Sequence, residues 1–293
     1  MNTEFTPFSL DGLSPFASGA TGACYQISED KILKLYFPEF PEEKVLNEKF
    51  RARLALVCGI PTAISYDLVS VEDRRGIIFE MVQAKTLAQR ILESPERIYE
   101  FGKAYAELAT TLHTAKGETK DLPLATSAIR DVVPKADFLD ETAKKNVLDF
   151  LDYLDTYSGF VHGDFHPNNI LLPNDSPTLI DMGSFSCGCP MFDFATIYFT
   201  LFAAPEALGK DVSSFTGLSL KQHKDLWDSL IQNYFHVTSY EEAVLLNHDA
   251  ALILDIVLLK SLRFDVLYGY RYSPTWCVNA KERIRNRFKY PIV

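Results

Sequence analysis

Residues 1–82 hold short β-favouring runs broken by Gly-containing turns, whereas apolar residues recur at helical spacing through most of the rest of the chain. The runs at 24–27, 31–36, 63–71 and 76–82 each predict a strand. Between the second and third, 41–56 carries apolar residues at helical spacing and begins with Pro, whose missing N–H is no loss in a first turn. Beyond Val82 the pattern predicts long helices at 96–116 and 140–157 and buried ones at 192–202 and 250–259. The polar, Pro-containing stretch 117–136 reads as an irregular connection. The predicted division is a small mixed sheet with one helix over 1–82 and a mainly helical region over 83–293.

Composition narrows the function classes. A net charge of -10 over 293 residues argues against a non-specific nucleic-acid binder, which needs clustered Lys and Arg to neutralise phosphates; an acidic surface instead tolerates a cationic substrate. The apolar run 250–259 is too short to span a membrane and carries Asp255. The first residues lack the basic and apolar regions of a secretory signal, which predicts a cytoplasmic protein. Five scattered cysteines suit a reducing compartment, and Cys187-Gly-Cys189 lacks the second pair that a zinc site would need.

The chemistry is concentrated in His162-Gly-Asp-Phe-His-Pro-Asn-Asn169 and Ile180-Asp-Met-Gly183. Phosphoryl transfer uses an Asp to take the proton of the attacking hydroxyl, an Asn five positions later to hold a metal ion, and a second Asp after the next short strand to hold the ion that bridges the phosphates. Asp164, Asn169 and Asp181 occupy those positions in order. Upstream, Gly19 and Gly22 in Ala17-Ser-Gly-Ala-Thr-Gly22 would let backbone approach phosphates, and either could equally serve a hairpin. Lys34, on the second strand, is placed to contact the α- and β-phosphates; Glu48 on the intervening helix is the candidate acid that fixes it. Glu80 and Val82, where the sheet ends, are candidates for backbone bonds to an adenine edge.

Taken together, these residues resemble the aminoglycoside phosphotransferase and choline kinase superfamily, small-molecule kinases related in fold to protein kinases. The catalytic segment matches that family's His-Gly-Asp-x-His-Pro-x-Asn at each defined position, with Asn168 where the family often has Gly. The resemblance implies an α+β, two-lobed protein-kinase-like fold: a small antiparallel-sheet N-lobe with one helix and a larger, mainly helical C-lobe. It implies ATP or GTP with Mg2+, His162 bracing the loop, and Asp193 supporting it as a structural acid.

The acceptor is open among aminoglycoside, choline-like amine, sugar and nucleoside. Acids and aromatics past Gly217 could bind an amine, with Asp265 and Tyr268 in 263–272 the leading candidates; the alternative for Asp265 is a simple pair with a neighbouring Arg. A protein kinase is a rival because Ala204-Pro-Glu206 lies downstream of Asp181, but the apolar 192–202 leaves no long activation segment. A catalytically inactive nucleotide-binding relic is the other rival, and the retained base, metal residues and Lys34 argue against it.

Overall fold

The computed structural model describes residues 4–292. The chain divides into two compact units, the first comprising residues up to 85 with 169–185, the second 86–168 with 186 onward.

In the first unit, β1 (Thr6–Pro7), β2 (Pro15–Ser18), β3 (Gly22–Gln26), β4 (Lys31–Tyr36), β5 (Ser65–Val71) and β6 (Arg74–Glu80) form one sheet in the order β1-β5-β6-β4-β3-β2. Its pairings are antiparallel except β1 with β5, which is parallel, so the sheet is not purely antiparallel as expected. β1 and β2 are too short and too exposed to leave an alternation in the sequence. Side chains two apart on a strand share a face. Leu33 and Leu35 therefore pack with Ala23, Tyr25, Val69 and Val71 on one side, while Tyr36 packs on the other with Leu68, Ile77 and Val45 of the helix α1 (Glu42–Val57). Lys34 is on the α1 side by the same parity. Gly22 is required by a close approach: a Cβ there would lie 2.3 Å from the carbonyl oxygen of Leu35 on β4.

The hairpin Ile170–Leu171/Thr178–Leu179 also belongs to this unit, which a single cut after residue 82 does not anticipate. The Leu179 N–H donates to the Pro61 carbonyl (2.8 Å), the Leu179 carbonyl accepts from Ala63 (3.2 Å) and from the Thr62 hydroxyl (3.0 Å), and the Leu172 N–H donates to Lys85 (3.0 Å). The Leu179 bonds link residues more than a hundred positions apart, so no local pattern reports them.

The second unit contains α2 (Leu87–Glu93), α3 (Ile98–Thr114), α4 (Ser127–Arg130), α5 (Glu141–Leu154), α6 (Met191–Tyr198), α7 (Ala204–Ala207), α8 (Leu220–Phe235), α9 (Tyr240–Leu246), α10 (His248–Tyr268) and α11 (Pro274–Phe288), with one strand pair, Gly159–Val161 and Ser186–Gly188. Side-chain caps start the helices where the sequence changes period: Thr86 and Ser219 form capping boxes with Gln89 and Gln222, and Asp140 accepts from the Ala143 N–H at 2.7 Å. The stretch expected to be irregular contains α4, held where Thr126 and Arg130 both bond the Asp155 carboxylate (2.5 and 2.7 Å). α6 runs through a π-helical turn, Phe199–Ala203, directly into α7. No described helix is long and apolar enough to cross a membrane.

Candidate active site

In the first unit, the Lys34 ammonium donates to Glu48 Oε1 at 2.7 Å and to Asp181 Oδ1 at 3.0 Å. Strand parity puts Lys34 on the α1 side, and Glu48, one helical turn beyond Val45, faces it. Burial alone would push Lys34 down, but Glu48 and Asp181 outweigh it and hold the ammonium above its ordinary range. The charge therefore persists at every physiological pH.

Asn169 and Asp181 are brought together by the hairpin, whose pairing continues with the Ile180 N–H donating to the Asn169 carbonyl at 3.0 Å. Asp181 has left-handed backbone (φ 62°, ψ 63°), uncommon outside Gly and characteristic of functional turns. Its side chain is 44 % exposed, whereas Glu48 is 3 % exposed, so Asp181 is the acid of this pair able to meet an outside group. The oxygen donors of Asp181 and Asn169 suit Mg2+, which takes one or two protein oxygens and completes its shell with phosphates and water.

Arg51, which the sequence reading passed over, grips this turn from α1 by donating from Nη1 to the Gly183 carbonyl. A Cβ on Gly183 would lie 3.1 Å from Glu48 Oε2, a tight contact that would make the carboxylate shift. Glu48 and Arg51 are three apart on the helix and act on the turn together. Arg51→Met is expected to weaken Mg2+-dependent nucleotide binding by about tenfold, the value of one charge-assisted hydrogen bond, with partial recovery in Arg51→Lys. Calorimetric titration with and without Mg2+ checks it; equal metal dependence in parent and Arg51→Met would remove the positioning role.

The remaining nucleotide candidates sit as follows. Gly19 donates its N–H to the Gly22 carbonyl at 2.9 Å, closing the β2–β3 hairpin, and a Cβ on Gly19 would meet nothing within 4 Å. The Glu80 N–H donates to Ile64 (2.8 Å) and the Glu80 carboxylate accepts from the Ile64 N–H (3.2 Å). The Glu80 N–H is thus engaged within the sheet unit. The next N–H, of Met81, donates to Asp30 (2.8 Å), so Val82 is the first residue past the strand whose amide these bonds leave out.

In the second unit, Asp193 is fully buried at the first turn of α6 and accepts N–H bonds from His162 (2.9 Å) and Gly163 (2.8 Å), with His113 Nε2 of α3 at 3.2 Å. His162, also fully buried, accepts the Asp164 N–H at Nδ1 (3.2 Å). These bonds fix the backbone that leads into Asp164. The Asp164 side chain is 46 % exposed and Oδ1 lies 3.5 Å from Nε2 of His166. Burial would raise the Asp164 carboxyl, but His166, then His162 and Lys260, outweigh it and hold it well below the usual carboxylate range. Asp164 is thus ionised and able to accept a proton.

Two side chains that act on Asp164 were not singled out in the sequence. His166 packs edge-on against Phe215 with ring centroids 5.1 Å apart. Lys260 of α10 lies in the field of Asp193 and Asp164; burial pushes its ammonium down to about 8 against their pull. The available signal was a basic residue directly after the apolar run 250–259 of α10. Asn168, where the resembling family often has Gly, has no left-handed backbone, and its side-chain amide donates to the Phe215 carbonyl at 2.9 Å.

The acceptor candidates are differently engaged. Asp265 is 8 % exposed and pairs with Lys281 of α11 at 3.3 Å, a Lys rather than the Arg considered as its alternative partner. Tyr268 ends α10 with the Arg271 guanidinium 5.8 Å from its ring. Ala204-Pro-Glu206 lies inside α7, continuous with a helix that begins at Met191, so no long activation segment separates it from Asp181.

The fold is shared with solved small-molecule kinases. A fructosamine-3-kinase homologue from Haemophilus somnus 129PT aligns with TM-score 0.60 at 13 % identity over 95 % of this chain and 91 % of its own. ADP-bound aminoglycoside phosphotransferase APH(2'')-Ib aligns with TM-score 0.57 at 16 % identity over 93 % and 91 %, respectively. A choline/ethanolamine kinase family protein from Mesorhizobium loti aligns with TM-score 0.54 at 14 % identity over 95 % and 88 %. No curated protein matches the chain in sequence. The profile of the phosphotransferase enzyme family matches residues 12–219, well over half of the sequence, and the chain belongs to that family.

Proposed function

We propose that this phosphotransferase is an ATP- and Mg2+-dependent kinase that transfers the γ-phosphoryl group to a hydroxyl of a small molecule. The observation that carries the reading is Lys34 held at 2.7 Å by buried Glu48 and at 3.0 Å by exposed Asp181. A charged ammonium beside a carboxylate with oxygen-donor neighbours suits a metal–triphosphate. Lys34 would contact the phosphates, and Asp181 and Asn169 would hold Mg2+. When bound, the ion would neutralise charge that develops on the phosphate oxygens.

Asp164 would take the hydroxyl proton as the oxygen attacks the γ-phosphorus and ADP leaves. A depressed carboxyl remains ionised as pH falls, so kcat is expected to stay flat from about pH 7 to about pH 5, above the ordinary Asp range. An acid limb centred in that interval would assign the base elsewhere. The direct test is a screen of hydroxyl acceptors for ADP release with ATP and with GTP, and mass spectrometry of the product. Nucleotide-independent phosphorylation, or no phosphorylated product from any acceptor, would overturn the reading.

A further inference from the structure

One cation of α10 acts on Asp164, and a second lies beside that cation. α10 packs on α6, whose Asp193 braces the catalytic loop, and Lys260 lies in the field of Asp193 and Asp164. Arg263 follows one helical turn later, a spacing that sets the two side chains next to each other on one face. Among the described residues neither belongs to an ion pair, and the Arg263 Nε is buried without a hydrogen-bond partner. A buried donor left unsatisfied costs free energy that a ligand bearing acceptor oxygens restores.

The acids of the same helix point to the same conclusion. An amine-bearing acceptor would need a carboxylate not already neutralised. On α10, Asp255 is gripped through both oxygens by the Arg287 guanidinium and Asp265 is paired with Lys281, both cations supplied by α11. Past the first turn, where Asp249 accepts from the Tyr157 hydroxyl at 2.6 Å, the charged side chains of α10 outside an ion pair are, among the described residues, Lys260 and Arg263.

We propose that Lys260 and Arg263 bind an anionic group on the acceptor, a carboxylate or a phosphate monoester, so that the substrate is a hydroxy compound carrying an acid rather than an amine. The proposal names the substrate class for the kinase reading above and rests on it. A guanidinium and an ammonium side by side suit such a group, the first by its planar fork and the second as a point charge.

The test is calorimetric titration of the full chain, with Mg2+ and a non-hydrolysable ATP analogue, using matched probes: ribose 5-phosphate against ribose, glycerate against glycerol, and ethanolamine and kanamycin as amines. ADP release with ATP is measured in parallel. At least one anionic probe is expected to bind about tenfold or more tightly than its neutral partner. The winning pair tells phosphate from carboxylate. Lys260→Met and Arg263→Met should each weaken that binding by about tenfold or more, with nucleotide affinity unchanged and Lys260→Arg retaining most of it. If Lys260→Met fails to fold, Arg263→Gln carries the comparison.

Anionic probes that bind no better than their neutral partners, or folded variants with unaltered binding, would overturn the proposal. Turnover confined to amines would overturn it and leave the kinase reading intact. Anionic binding that responds to both substitutions without ADP release from any acceptor would support the anion site and count against the kinase reading.

Discussion

Asp164→Ala is expected to lower turnover by on the order of 10²–10⁴ while leaving Mg2+–nucleotide affinity close to that of the parent, because a general base acts on the acceptor and not on the nucleotide. The structure makes the substitution interpretable. The loop is held by Asp193 through the His162 and Gly163 amides at 2.9 and 2.8 Å, bonds that do not involve the Asp164 side chain. Its carboxylate is 46 % exposed, so truncation leaves no fully buried cavity. Initial rates at saturating ATP and a calorimetric nucleotide titration on the same preparation separate the two effects. Near-parental turnover would remove Asp164 as the base.

Asp181→Ala should act on the other half of the chemistry and abolish the Mg2+ dependence of nucleotide binding. The expected loss is at least about 100-fold in affinity with metal present, beyond the 10–100-fold typical of losing an outer partner. Lys34 keeps its 2.7 Å bond to Glu48 in this variant, so the α1–β4 contact and the fold should survive. Asp181→Asn keeps an oxygen donor but removes the charge, and is expected to fall between the two. The measurement is affinity as a function of Mg2+ concentration, with the melting temperature as a control. A nucleotide affinity that still rises with Mg2+ as in the parent would show that the ion is held without Asp181.

The sequence carried far more of the nucleotide half than of the acceptor half. Lys34 and Glu48 were legible because two local periods intersect there, a strand period that turns Lys34 toward α1 and a helical period that turns Glu48 toward β4. Asp164, Asn169 and Asp181 could be singled out as candidates because their residue types and order fall within one short segment. Arg51 was not, since its partner carbonyl lies 132 positions away and nothing in the helix period marks which polar residue will meet it. Asp265 was weighed as an acceptor contact for its residue type and neighbours, yet its pairing with Lys281 depends on how α10 lies against α11.

What the sequence determined by itself is what short-range spacing encodes: the helices α1, α3, α5 and α6, the middle of α10, the four longer strands, and the order of the candidate residue types. The tertiary structure alone decided the rest. It joined 169–185 to the sheet unit through bonds to Pro61, Thr62, Ala63 and Lys85, surrounded Asp193 with His113, His162 and Gly163, and set Lys260 in the field of Asp164. The physical reason is that a side chain's periodicity states which face it occupies, while its charge partner is set by the packing of elements distant in sequence.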